Sequence, residues 1–131
     1  MRRFDVTEND IARVVDRFYT RVRADPTLGP IFATHVTDWD PHEAKITRFW
    51  ANAILGSGVY SGNPMRVHMD AGNVMATHFP TWLALFDVVL NEELPADISA
   101  QWSALAHRIG RGLSMGLEQF GHNGPPKLGV A

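Results

Sequence analysis

The stretch DPHEAKITRFWANAILG, residues 40–56, carries the clearest helix signals in the chain. Asp40 is placed to cap a helix, with Pro41 at the first helical position and Glu43 at the third, as in a capping box. Gly56 follows the last apolar residue and suits a left-handed C-cap. Four residues lie at positions i, i+4, i+7 and i+8, which share one face of a helix: His42, Ile46, Phe49 and Trp50. The spacing therefore predicts a helix with His42 on its apolar side.

Three further segments have the length and apolar spacing of helices. Residues 7–24 form an amphipathic pattern in which Thr7 is a suitable N-cap. Residues 79–90 and residues 96–120 complete the set, and no run alternates with the two-residue period of a strand. The sequence therefore predicts an all-α architecture of about four substantial helices.

Glycine and proline mark the interruptions between and within these helices. The connector DPTLGPIF, residues 25–32, predicts a compact turn that delivers Phe32 to the core. The glycine-rich middle that follows Gly56 sustains only a short helix, at about residues 64–69. Three glycines inside the last helix predict the close approach of another element, at about 1 kcal/mol of helix stability each: Gly110, Gly112 and Gly116.

Composition limits what this chain can be. Its 131 residues suit one domain, which we expect to span residues 1–120, with a mobile tail at residues 121–131. A net charge of -2 without a basic stripe argues against nucleic acid as a partner. No apolar run reaches the roughly 18 residues of a membrane span and no signal peptide is evident, so we expect a cytoplasmic protein.

The chain has no cysteine, so any metal must be held by His, Asp, Glu or a cofactor. The motif H-E-x-x-H fails after His42, and neither a G-x-S-x-G elbow nor a phosphate-binding P-loop occurs. Two histidines, His42 and His68, lie in apolar surroundings. Haem suits such a setting, because it needs one imidazole on its iron and apolar walls, which aromatic residues here can provide. Ordinary helical core packing explains the same pattern, and the residues alone leave both open.

Several longer blocks resemble the truncated haemoglobins, and among them the third, or P-type, group. The likeness covers about residues 5–118. The chain lacks the paired glycines that are typical of the first two groups, which is consistent with the third. Its matching segments, in order, are FYTRVRADPTLGPIF (18–32), Trp39 with HEAKITRFWANAILG (42–56), YSGNPMRVHMD (60–70) and HFPTWLALF (78–86).

The resemblance implies a shortened globin fold, in which two pairs of helices form a two-on-two sandwich around haem. In this family's pattern His68 matches the proximal iron ligand, and Phe32 matches the aromatic that stacks on the porphyrin. The distal, ligand-binding side would be formed by Tyr19, His42 and Trp82, with Ile46 one turn beyond the histidine. Phe49 and Trp50 would complete the haem walls, and the propionates would pair with Lys45, Arg66 and His78.

The function implied is that of a haem b protein, a monomer, which binds dioxygen, nitric oxide or carbon monoxide reversibly at a five-coordinate iron. Tyr19 and Trp82 would donate hydrogen bonds to the ligand. The alternative is a haem enzyme that carries out nitric oxide dioxygenation or peroxidase-type chemistry. Because the chain has no flavin or nicotinamide module, that enzyme would require a separate reductase. A helical module without haem is the third interpretation, which the apolar setting of His42 and His68 disfavours.

Overall fold

The computed structural model describes residues 2–58, 62–64 and 75–121. Within these ranges every regular element is helical, as predicted, and no helix is long and apolar enough to cross a membrane. The α-helices are α1 (Glu8–Ala24), α2 (Leu28–Ala33), α3 (Trp39–Leu55), α4 (Phe79–Glu93) and α5 (Ala96–Gly116). A 3-10 turn, Ala76–His78, precedes α4, and a short π-helical segment, Leu117–Gly121, follows α5.

The first helix begins where the sequence predicts. The Thr7 hydroxyl accepts a hydrogen bond from the Asp10 N–H at 3.0 Å, and the Thr7 N–H donates to the Asp10 carboxylate at 2.9 Å. This reciprocal pair satisfies two backbone groups that the helix leaves open. The apolar stripe of α1 is buried as expected, and consists of Ile11, Val14, Val15, Phe18, Tyr19 and Val22.

The N-cap predicted for α3 was wrong by two residues. Asp38, in extended conformation, accepts a hydrogen bond from the Asp40 N–H at 3.3 Å, so the helix already begins at Trp39. Both aspartates are suitable caps, and the earlier one takes the position because Trp39 is helical and contacts rings on other elements. The other end agrees with the prediction, since Gly56 adopts the left-handed conformation with φ 69°.

The connector predicted as a turn contains the short helix α2. Its start is stabilised by Asp25, whose carboxylate accepts hydrogen bonds from the backbone N–H groups of Thr27 and Leu28 at 2.9 and 2.8 Å. Those N–H groups would otherwise lack partners at a helix start, so a single aspartate is enough to favour helix over turn here. Phe32 reaches the interior, as predicted.

The helices form two pairs, α1 with α3 and α4 with α5, joined by packing of α1 on α4. Phe86 lies at the centre of the contact between the two pairs. Its ring is stacked between those of Trp82 and Trp50, and its centroid lies 5.4 Å from each of theirs. Trp102 of α5 meets the Phe86 ring edge-on at 5.7 Å. This is the two-on-two arrangement that the sequence predicted.

The glycine prediction is confirmed at one position and wrong at another. A Cβ at Gly110 would lie 3.2 Å from Leu83 Cδ1, so the missing side chain does allow α4 and α5 to approach closely. A Cβ at Gly112 would meet open space, so no neighbour requires glycine there. The mobile tail expected at residues 121–131 lies, beyond Gly121, outside the described residues and stays a prediction.

Candidate functional site

A cavity of about 310 Å³ opens between the two helix pairs. Helices α1 to α5 all contribute to its walls, which are mainly aliphatic and aromatic, with a small number of polar groups. Such a lining is typical of sites for flat or apolar ligands that a few polar atoms orient.

Nearly every residue singled out from the sequence lies on this cavity. Arg66 and His68 are the exceptions, because they lie outside the described residues and their predicted roles stay predictions. The predicted residues that line the cavity are Tyr19, Phe32, His42, Lys45, Ile46, Phe49, Trp50, His78 and Trp82.

Helical periodicity explains why α3 supplies so much of one wall. Its cavity-facing residues recur at the predicted intervals, from His42 at the first turn to Trp50 at the third. The opposite wall comes from α4, where Trp82 lies one turn before the central Phe86. The cavity and the aromatic core therefore share two rings, those of Trp50 and Trp82.

Tyr19 of α1 is only 3% exposed. Burial, with a smaller contribution from the Glu43 carboxylate, raises the pKa of the Tyr19 phenol above its ordinary value. The hydroxyl therefore keeps its proton, on a residue that lines the cavity. It is a donor available to whatever occupies the cavity.

His42 presents a second polar group at the cavity. Its ring lies 5.1 Å from that of Tyr19, and its Nε2 is buried and unbonded within the described part of the chain. Burial lowers the pKa of His42, and the positive charge of Lys45 lowers it further. The imidazole is therefore neutral near pH 7, so Nε2 can donate or accept a hydrogen bond depending on its tautomer.

Two basic residues lie on the cavity lining at more exposed positions. Lys45 is exposed on α3, and the Nδ1 of His78 accepts a hydrogen bond from the Met75 N–H at 2.9 Å, which fixes its ring at the start of α4. The Lys45 ammonium suits the anionic end of a ligand whose apolar body lies inside, and the His78 Nε2, opposite the accepting Nδ1, can donate a hydrogen bond to it.

Some cavity residues were not predicted from the sequence. Ile109 and Leu113 belong to the predicted last helix but were not singled out, and Leu28 and Ile31 were missed because α2 was not recognised as a helix. His35 also lines the cavity, although it is exposed. Helical spacing in α5 was the available signal for the first two, but it cannot tell a core from a cavity wall.

An all-helical two-on-two fold around an apolar cavity with a few inward polar groups defines the class of protein, a shortened globin. Comparison with known proteins agrees. A sequence model of the family described as "Bacterial-like globin" matches residues 6–109. The chain is 39% identical over 97 residues to the group 3 truncated hemoglobin ctb of Campylobacter jejuni. The matched region covers 68% of this chain and 76% of that protein.

The fold has a crystallographic counterpart as well. The structure of a group III truncated hemoglobin from Campylobacter jejuni matches with a TM-score of 0.80 and 33% identity, over 87% of this chain and 93% of the other. The chain belongs to the bacterial-like globin family, and the predicted resemblance to the third group of truncated haemoglobins is confirmed. Membership of the globins implies haem binding, with diatomic gases as ligands.

We expect His42 to titrate below its ordinary pKa of 6.5 in an NMR pH titration of the purified protein. The unfolded chain binds this proton more readily, so protonation of His42 destabilises the folded protein. The free energy of unfolding therefore has its full value above about pH 6.5 and declines as pH falls below it. The variant Lys45→Gln should raise the pKa of His42 only in part, because burial is the larger cause. A His42 pKa at or above 6.5 in the unaltered protein would contradict this account.

Proposed function

We propose that the cavity binds haem b, and that the protein binds dioxygen reversibly, with Tyr19 and Trp82 as hydrogen-bond donors to the ligand. One observation carries the proposal. Within an apolar cavity of a globin fold, the His42 Nε2 is a buried polar atom without a partner among the described residues, and the His42 ring lies 5.1 Å from that of Tyr19. Buried polar groups in proteins nearly always have a partner, so this atom beside Tyr19 points to a ligand that forms a hydrogen bond there.

The lining fits haem in its chemistry. Phe32, Ile46, Phe49 and Trp50 provide apolar surface for a porphyrin, and Lys45 and His78 are basic groups for its propionates. His68 and Arg66 lie outside the described residues; we propose His68 as the proximal ligand of a five-coordinate iron and Arg66 as a further propionate partner. Haem, when bound, supplies an iron centre at which a diatomic gas binds.

The residues of the chain then determine how long the ligand stays. Tyr19 keeps its proton at any physiological pH, so it acts as a hydrogen-bond donor in a water-poor cavity. The Trp82 indole N–H can act in the same way, since Trp82 lines the cavity as well. Each bond would contribute about 1 to 3 kcal/mol, and together they favour slow release of dioxygen.

His68→Ala should abolish the Soret absorption band that the unaltered protein shows after haem is supplied, because the iron would lose its proximal imidazole. His107→Ala is the matched control, since His107 lies on α5 and bonds to Asp87 at 2.8 Å, away from the cavity lining. A colourless unaltered protein would refute haem binding. An unchanged band in His68→Ala would refute the role of His68 alone.

Tyr19→Phe should speed dioxygen dissociation roughly 5- to 150-fold, the equivalent of about 1 to 3 kcal/mol for one lost hydrogen bond. Stopped-flow measurement of dissociation from the ferrous protein tests this. Thr20→Val is a suitable control, because it removes a hydroxyl from the neighbouring, exposed position of the same helix, where it bonds to the Asp16 carbonyl. Equal rates in Tyr19→Phe and the unaltered protein would remove Tyr19 from the donors.

A second candidate function, peroxide turnover or nitric oxide dioxygenation, is favoured by His42. A neutral imidazole with a free Nε2 at the cavity can move a proton, which peroxide chemistry needs. Consumption of either substrate with a reductant, at a rate well above that of free haem and lowered in His42→Leu, would support an enzyme. A rate equal to that of free haem would leave reversible binding as the function.

A further inference from the structure

Trp39, at the first position of α3, contacts three rings of the cavity wall without lining the cavity itself. Its ring centroid lies 5.6 Å from that of Tyr19, 5.6 Å from that of His42 and 6.2 Å from that of Phe32. Trp39 therefore lies behind the wall, where it backs Tyr19 and His42.

The outer side of Trp39 is covered by a cation. The Arg23 guanidinium carbon lies 4.8 Å from the Trp39 ring centroid, within the range of a cation–π contact. Arg23 belongs to the last turn of α1 and Trp39 to the first turn of α3. The contact therefore joins the ends of the two helices that supply Tyr19 and His42.

The position of the His42 ring depends mainly on such packing. Its Nε2 forms no hydrogen bond with any residue that the structure describes, so no polar contact fixes that end of the imidazole. Three aromatic rings surround it instead, each nearly perpendicular to it, at interplanar angles of 79° to Tyr19, 74° to Phe32 and 85° to Trp39. Of these, only Trp39 lies outside the cavity lining.

We propose that Arg23 and Trp39 are positioning residues of the cavity wall: Arg23 holds Trp39 in place, and Trp39 holds the rings of His42 and Tyr19 against the cavity. Removal of either side chain would allow the His42 ring to move away from the cavity and would widen the path by which a ligand enters it. The proposal rests on the proposed function for its kinetic consequence, and on ring packing alone for its structural consequence.

Carbon monoxide association after flash photolysis tests the kinetic consequence, because this ligand depends less than dioxygen on hydrogen-bond donors. Arg23→Gln should speed association about two- to fivefold, as expected for the loss of an exposed cation–π contact. Trp39→Ala should speed it more, and Trp39→Phe, which keeps a flat ring, should stay closer to the unaltered rate. Arg21→Gln is the control, because Arg21 lies on the same helix but pairs with Glu92 at 2.6 Å.

NMR provides a readout that does not depend on ligand kinetics. Nuclear Overhauser contacts between the ring protons of His42 and Tyr19, 5.1 Å apart between centroids, should weaken in Arg23→Gln and Trp39→Ala and persist in Arg21→Gln.

If the protein binds no haem, the proposed function fails, and these contacts still decide the positioning role. If Trp39→Ala does not fold, Arg23→Gln and Trp39→Phe decide it. Ring contacts and association rates in Arg23→Gln that equal those of Arg21→Gln would overturn the proposal.

Discussion

The stacking of Phe86 between Trp82 and Trp50 is the contact on which the rest of the structure depends. It joins α3 to α4, and Trp102 extends it to α5, so one aromatic group unites the two helix pairs. Large aromatic side chains bury more apolar surface than any others, which makes them effective at such a joint. Two of these rings, Trp82 and Trp50, also line the cavity, so the stability of the fold and the shape of the site cannot be separated.

Burial sets the chemical state of the site. It disfavours charge, and therefore raises the pKa of Tyr19 and lowers that of His42. Both shifts have the same outcome, an uncharged group that can form hydrogen bonds. A globin cavity with neutral inward groups can donate hydrogen bonds to a bound diatomic gas without competing ionic partners, which is consistent with reversible binding. The same neutral His42 is also what proton transfer would require, so the two candidate functions share one physical basis.

Most of the fold followed from local signals. Thr7 with Asp10, and Gly56 with its left-handed conformation, determine their helix ends through contacts within one turn, which is why the sequence predicted them correctly. The cap of α3 was misplaced because two aspartates, Asp38 and Asp40, were equally suitable locally, and the contacts of Trp39 with other elements decided between them. The helix α2 was missed for a related reason, since a single carboxylate, that of Asp25, favours it.

Helical spacing in the sequence alone determined which residues share a face, and the matching blocks determined the family. Spacing placed His42, Ile46, Phe49 and Trp50 on one side of α3, and it did so without reference to any other helix. Tertiary structure decided what that side meets, because a face that packs into a core and a face that lines a cavity have the same periodicity. It also placed Arg23 over Trp39, a contact between two helices that only the packing of α1 on α3 brings together.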